Sequence, residues 1–134
     1  MPIAQENKVI ALPAVHINGF PYFQYRGAHL DVSRHFFSVN EIKTYIDMMA
    51  MHNMNTLHWH LTDDQGWRIE IKKHPRLTQI GSKREETLIG HLNDYPEKYD
   101  GKPYQGFYTK EQIKDIVNYA SHKQITIIPE IDLP

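Results

Sequence analysis

The chain contains no cysteine. Disulfide staples and thiolate metal sites are therefore excluded, while the compartment stays open. An excess of either charge is also missing: 15 Lys and Arg stand against 16 Asp and Glu, for a net charge of −1. So balanced a surface gives no electrostatic basis for holding nucleic acid or an anionic membrane. No apolar run approaches the ~20 residues that span a bilayer. The opening residues, Met1 to Lys8, have no apolar signal core, so no signal peptide is visible and localisation is not defined by the sequence. What remains is a chain of 134 residues with 40% hydrophobic content, enough for one modest globular domain. Nine histidines and eight tyrosines are many for this length and tilt the chain toward polar site chemistry.

Residues 1 to 19 read as a weakly patterned lead-in ending in a short hairpin. Val15-His16-Ile17 and Phe20-Pro21-Tyr22 flank Asn18-Gly19, which suits a tight primed turn. Tyr25 to Val32 is the first core strand. Ser38 and Glu41 form a capping box, and Ile42, Tyr45, Ile46 and Met49 follow as one helical face, which Asn53 or Asn55 can stop. Met48, Met49, Met51 and Met54 are packing residues on or near this helix. Thr56 to Leu61 is a second strand. From about Thr62 to Tyr108 the pattern is irregular, with a short strand at Trp67 to Ile71; loops this long are functional or disordered. Thr109 and Gln112 form a second capping box, and Ile113, Ile116, Val117 and Ala120 make the next apolar face. Ile125 to Ile131 is apolar enough for a strand buried on both faces. Strand, helix, strand, long loop, helix, strand predicts an α/β fold of βαβ units.

In such folds function collects at the carboxyl ends of the strands. All three strands end in acids: Asp31, followed by Arg34 and His35; Asp63 and Asp64; Glu130 and Asp132. One such acid often only caps a helix, but three in a row argue for a shared rim. Arg34 is the cation beside them, suited to a carboxylate or to two neighbouring sugar hydroxyls, with an internal ion pair to Asp31 or Asp63 as the plainer reading. His58 and His60 face one side of the second strand. They read as a metal pair or, with no clear third ligand in sight, as core histidines bonded to neighbouring strand ends. Trp67, Tyr104, Phe107 and Tyr108 could wall a sugar site or simply pack the long loop.

The same residues resemble a family. Tyr25-Arg26-Gly27 with Leu30 to Phe36, Leu57 to Arg68, Gly106 to Thr109, and Ile128 to Pro134 are similar, in order, to four motifs of glycoside hydrolase family 20, the β-N-acetylhexosaminidases. The resemblance implies an incomplete (β/α)8 TIM barrel. Residues 20 to 134 would supply about its first three βα units, with a long loop after the second strand. It implies a glycosidase that removes terminal non-reducing N-acetylglucosamine or N-acetylgalactosamine from glycans, retaining configuration through attack by the substrate's own acetamido oxygen. No cofactor and no metal is implied. By motif position Arg34 would bind hydroxyls of the terminal sugar, and Asp63 would sit in a relay with a histidine that tunes the catalytic Glu. Asp132 would support that histidine; Asp64, His60 and Glu130 would belong to the same shell, and Arg26 would be structural. The family pattern continues past Pro134 into Gly-His, and its catalytic Asp-Glu pair follows a fourth strand. The 134 residues are thus expected to be inactive alone, marginally stable, and partnered by the barrel remainder or by self-association through sheet edges. Family members are often secreted, periplasmic or lysosomal. Two rival readings are a metal-dependent amidohydrolase-like barrel using His58 and His60, and a non-catalytic carbohydrate-binding module relying on Arg34.

Overall fold

The computed structural model describes residues 13–16, 18–91 and 93–133. Its centre is a parallel sheet of β1 (Gly27–Asp31), β2 (Thr56–Asp63) and a final strand, Thr126–Ile131, with β2 in the middle. Helices α1 (Val39–Met51) and α3 (Lys110–His122) make the crossovers. Between β2 and α3 lie β3 (Gly66–Trp67), α2 (Arg76–Gln79), β4 (Lys83–Arg84), β5 (Leu88–Ile89), β6 (Lys98–Tyr99) and β7 (Tyr104–Gln105), so the final strand is β8. No helix among the described residues is long and apolar enough to cross a membrane.

Period-two alternation sorts β2 into two faces. Leu57, Trp59 and Leu61 are fully buried under the helices with Ile42, Ile46, Met49, Ile116 and Ala120, while His58, His60 and Thr62 take the opposite face. The helices begin and end by the same devices. Ser38 and Thr109 each accept a backbone N–H from a residue three on, and Glu41 and Gln112 accept the cap's own N–H in return. Asn53 (φ 55°) and Gln124 (φ 59°) turn into the left-handed region, which lets Met54 and Ile125 donate back to the last helical carbonyls. Between the helices, Lys43 pairs with Asp115 and Lys123 with Asp47, and the Tyr119 hydroxyl donates to Asp47.

Several boundaries and burials differ from expectation. Strand β1 starts at Gly27, because the amide of Arg26 is taken by the Asn55 side chain. The expected hairpin includes Ile17, outside the described residues; residues 13–16 and 18–26 form no strand. Strand β2 runs on to Asp63, where a two-residue turn returns the chain as β3, and the strand expected over Trp67 to Ile71 is only Gly66–Trp67 with one bridge at Ile69. Val117 is 43% exposed, so the apolar face of α3 rests on Ile116 and Ala120. Strand β8 is an edge strand rather than a doubly buried one: Ile128 is 44% and Ile131 39% exposed, because no element among the described residues covers them.

The long segment after β2 is ordered around one side chain. Arg68 is fully buried, and its guanidinium donates to the carbonyls of Val32, Ser33, Ser82 and Gly106. Arg84 adds bonds to the carbonyls of Arg34 and Gln65 and lies 4.3 Å over the Tyr104 ring. The ladders β4–β7 and β5–β6 close the segment on itself, and Tyr108, also fully buried, donates its hydroxyl to Phe37.

Candidate functional site

The register sets Asp31 opposite His60 and His60 opposite Glu130, so the acids of the two outer strands flank His60 at one level, and Asp63 follows three residues farther along β2. After β1 the carboxylate of Asp31 accepts the backbone N–H groups of Ser33 and Arg34, a tight turn that returns the Arg34 side chain over the strand ends. There Arg34 Nη1 lies 2.6 Å from Asp63 Oδ2, 3.1 Å from Asp31 Oδ2 and 3.0 Å from His60 Nε2. The internal ion pairs considered above are therefore both made, and all of these contacts run through a single nitrogen. The rest of the guanidinium fork makes no contact with these groups.

His60, buried by its neighbours, sits between two carboxylates: Nε2 is 2.9 Å from Asp63 Oδ2 and Nδ1 is 2.7 Å from Glu130 Oε2. Burial works against a charged imidazole, but Glu130 and Asp63 outweigh it and hold the His60 pKa above its ordinary value. The Asp63 carboxyl is held below the usual carboxylate range first by the Asp64 backbone N–H, then by His60 and Arg34. Glu130 is lowered by His60, with His58 and His29 adding. The arrangement is a chain of alternating charge, Glu130, His60, Asp63, Arg34 and Asp31, in which Arg34 faces solvent.

Beside it opens a cleft of about 570 Å³, lined by Asp63, Asp64, Trp67, Leu77, Ile80 and Asp132 among others. The Asp132 carbonyl accepts the Thr62 hydroxyl at 2.8 Å, tying the end of β8 to β2, and the exposed Asp64 carries no contact beyond its own turn with Asp63. Of the aromatic candidates, Trp67 borders the cleft, its indole N–H donating to Ile69. Tyr108 belongs to the core, 4.9 Å from the Trp59 ring, and Tyr104 packs against Arg84, so neither walls the cleft. His58 and His60 do not act as a free pair. Both nitrogens of His60 face carboxylates, whereas His58 Nε2 approaches Glu130 at 2.9 Å beside His29. Arg26 donates to the carbonyls of Asn53, Phe23 and Gln24, away from the rim.

Three participants were not singled out from sequence: His29, Arg68 and Arg84. Counting back by two from Asp31 places His29 on the same face, a signal that was available. The partners of Arg68 and Arg84 are backbone carbonyls distant in sequence, which leave no residue-type signature.

A parallel sheet flanked by helices, with acids and a cation gathered at the carboxyl ends beside a cleft, defines the α/β class of enzymes that bind small ligands at that rim. Comparison with known proteins narrows the class. The Glycosyl hydrolase family 20 catalytic domain matches residues 23–134. The chain is 52% identical to a β-hexosaminidase of Porphyromonas gingivalis over 98% of its own length and 16% of the relative's. It is 45% identical to a β-hexosaminidase of Vibrio furnissii over 93% of its length and 20% of the relative's. Among solved structures, the family 20 exo-β-N-acetylglucosaminidase of Vibrio harveyi, in complex with N-acetylglucosamine, superposes with a TM-score of 0.73 at 47% identity. That match covers 86% of this chain and 18% of the other. The chain thus belongs to glycoside hydrolase family 20, and it spans about a fifth of the length of these relatives. Family membership displaces the amidohydrolase reading.

Proposed function

We propose that residues 20–134 are the first three βα units of a (β/α)8 catalytic barrel whose whole protein hydrolyses terminal non-reducing N-acetylhexosamine residues of glycans, with retention through the substrate's acetamido group. The observation that carries this reading is the Arg34–Asp63 pair at the rim. It joins two strand ends, it matches the family's motifs at both positions, and it engages Arg34 through Nη1 alone. The remaining donors of the fork are left for two neighbouring sugar hydroxyls, the geometry a guanidinium suits. Asp63, held ionised and oriented by Asp64, His60 and Arg34, acts as the relay carboxylate that tunes the catalytic Glu through a histidine. His60 and Glu130 orient Asp63, Asp132 supports the relay histidine, and Asp64 is a shell residue. The relay histidine and the Asp-Glu pair are supplied by chain outside residues 1–134. Neither a metal nor a cofactor takes part, and the partner of these residues is the remainder of the barrel.

The test compares the complete protein with residues 1–134 on a chromogenic N-acetyl-β-glucosaminide. The complete protein turns it over and leaves the matching β-glucoside, which lacks the acetamido group, essentially untouched; residues 1–134 alone show no rate. In the complete protein Arg34→Ala lowers kcat/KM by about 10–100-fold, the worth of one or two charged hydrogen bonds. Equal rates on the two substrates, or turnover by residues 1–134, would overturn the reading.

A further inference from the structure

One layer along the strands from the rim, the sheet presents a second convergence of side chains. His29 on β1 lies opposite His58 on β2 in the parallel register, and Glu130 on β8 reaches them from the neighbouring layer. His58 Nε2 is 2.9 Å and His29 Nε2 3.7 Å from Glu130 Oε2, and the two imidazoles meet edge to face with centroids 4.8 Å apart. One ligand atom from each of the three residues lies within 4.8 Å of both others. Zinc bound tetrahedrally at about 2.0–2.1 Å holds neighbouring nitrogen and oxygen donors roughly 3.3 Å apart. The two separations to Glu130 straddle that spacing, and the imidazole nitrogens lie within 4.8 Å of each other.

We propose that His29, His58 and Glu130 form a zinc site that spans all three parallel strands. Two imidazoles and a carboxylate suit zinc and its transition-metal neighbours rather than magnesium or calcium, which favour oxygen alone. His60 acts as the supporting group. Its Nδ1 lies 2.7 Å from Glu130 Oε2, the outer-shell contact that fixes a ligating carboxylate. His60 also stands between this site and Arg34, since Glu130 lies at Nδ1 and Arg34 at Nε2. The ion is thereby separated from the sugar-facing rim, and its role is to pin three strands together. The second group of potential ligands, His60, Asp63 and Asp132, differs because Asp63 is already committed to Arg34 at 2.6 Å.

The experiment uses the complete protein with zinc as the probe. Equilibrium dialysis gives a zinc bound stoichiometrically to each chain, and zinc at about 100 times its Kd raises Tm by on the order of 2–4 °C. Diethylpyrocarbonate footprinting of the unmodified chain reads each histidine separately, so the answer does not depend on a variant folding. Zinc slows modification of His29 and His58 at least about 10-fold and leaves His16, His35, His52, His74, His91 and His122 unchanged. In variants that keep the native circular dichroism, His29→Ala, His58→Ala and Glu130→Gln each weaken zinc by about 10-fold or more. The proposal fails if no stoichiometric zinc is bound. It fails equally if protection falls on the other imidazoles, or if a folded double variant at His29 and His58 still binds zinc as the parent does.

Discussion

Arg68 has no sugar-facing role in the proposed site, yet the site's geometry depends on it. Among the described residues its guanidinium makes no ion pair; it donates to carbonyls of the turn after β1, of the segment after α2, and of the segment before Tyr108. Burial lowers its pKa, but arginine stays cationic, so the fork remains a full set of donors. Arg68→Met keeps much of the volume and leaves several buried carbonyls without a donor. We expect a loss of about 3–5 kcal/mol, measured as a fall in the urea midpoint. Gly66 serves the same side chain, since a Cβ there would collide with the Arg68 guanidinium; Gly66→Ala is expected to destabilise in the same assay. For Arg34 the effect is different. Arg34→Lys retains the charge beside Asp63 but loses the planar fork, so in the complete protein KM rises while the unfolding free energy from urea titration changes by less than about 1 kcal/mol.

At the level of elements, the two helices are matched devices whose caps act locally. Ser38→Ala and Thr109→Ala are each expected to cost about 1 kcal/mol, and the two losses should add because the caps share no partner. Helix α1 also sets a pH dependence. Glu41 is held below its ordinary value by Ser38, and Asp47 by Lys123 and Tyr119. A carboxyl depressed in the folded state contributes stability above its unfolded pKa and loses it as pH falls through the folded value. Stability should therefore drop on the acid side, beginning near pH 4.5 and continuing below it. Glu41→Gln with Asp47→Asn should make that limb of a plot of urea midpoint against pH less steep, Asp63 and Glu130 supplying part of what remains, while leaving its shape near pH 7 unchanged.

For the molecule as a whole, the sheet has β1 and β8 as its outer strands among the described residues, each with an unpaired side. Beyond β8 the chain exposes Leu133, and the β8 residues Ile128 and Ile131 are themselves open to solvent. Unpaired edges and uncovered apolar side chains favour association. Residues 1–134 by themselves should sediment as a concentration-dependent mixture and unfold over a broad range. A sharp, concentration-independent melt of a monomer would contradict this.

The sequence by itself determined what depends on near neighbours and on residue type. The two long helices, α1 and α3, were legible in it, with their caps, because a capping box and a 3.6-residue period act over a few residues; the one-turn α2 was not. The three core strands and the gathering of acids at their ends were legible for the same reason, and the motifs identified the family. Only the tertiary structure decided which of these residues meet. The register of β1, β2 and β8 aligns Asp31, His60 and Glu130, and no local pattern encodes register. The Asp31 turn swings Arg34 onto Asp63. Arg68 reads in sequence as one more charged residue until the fold surrounds it with carbonyls. Among the described residues Ile128 and Ile131 of β8 stay uncovered, because hydrophobicity reports what a strand can bury, whereas the neighbouring elements decide what it does bury.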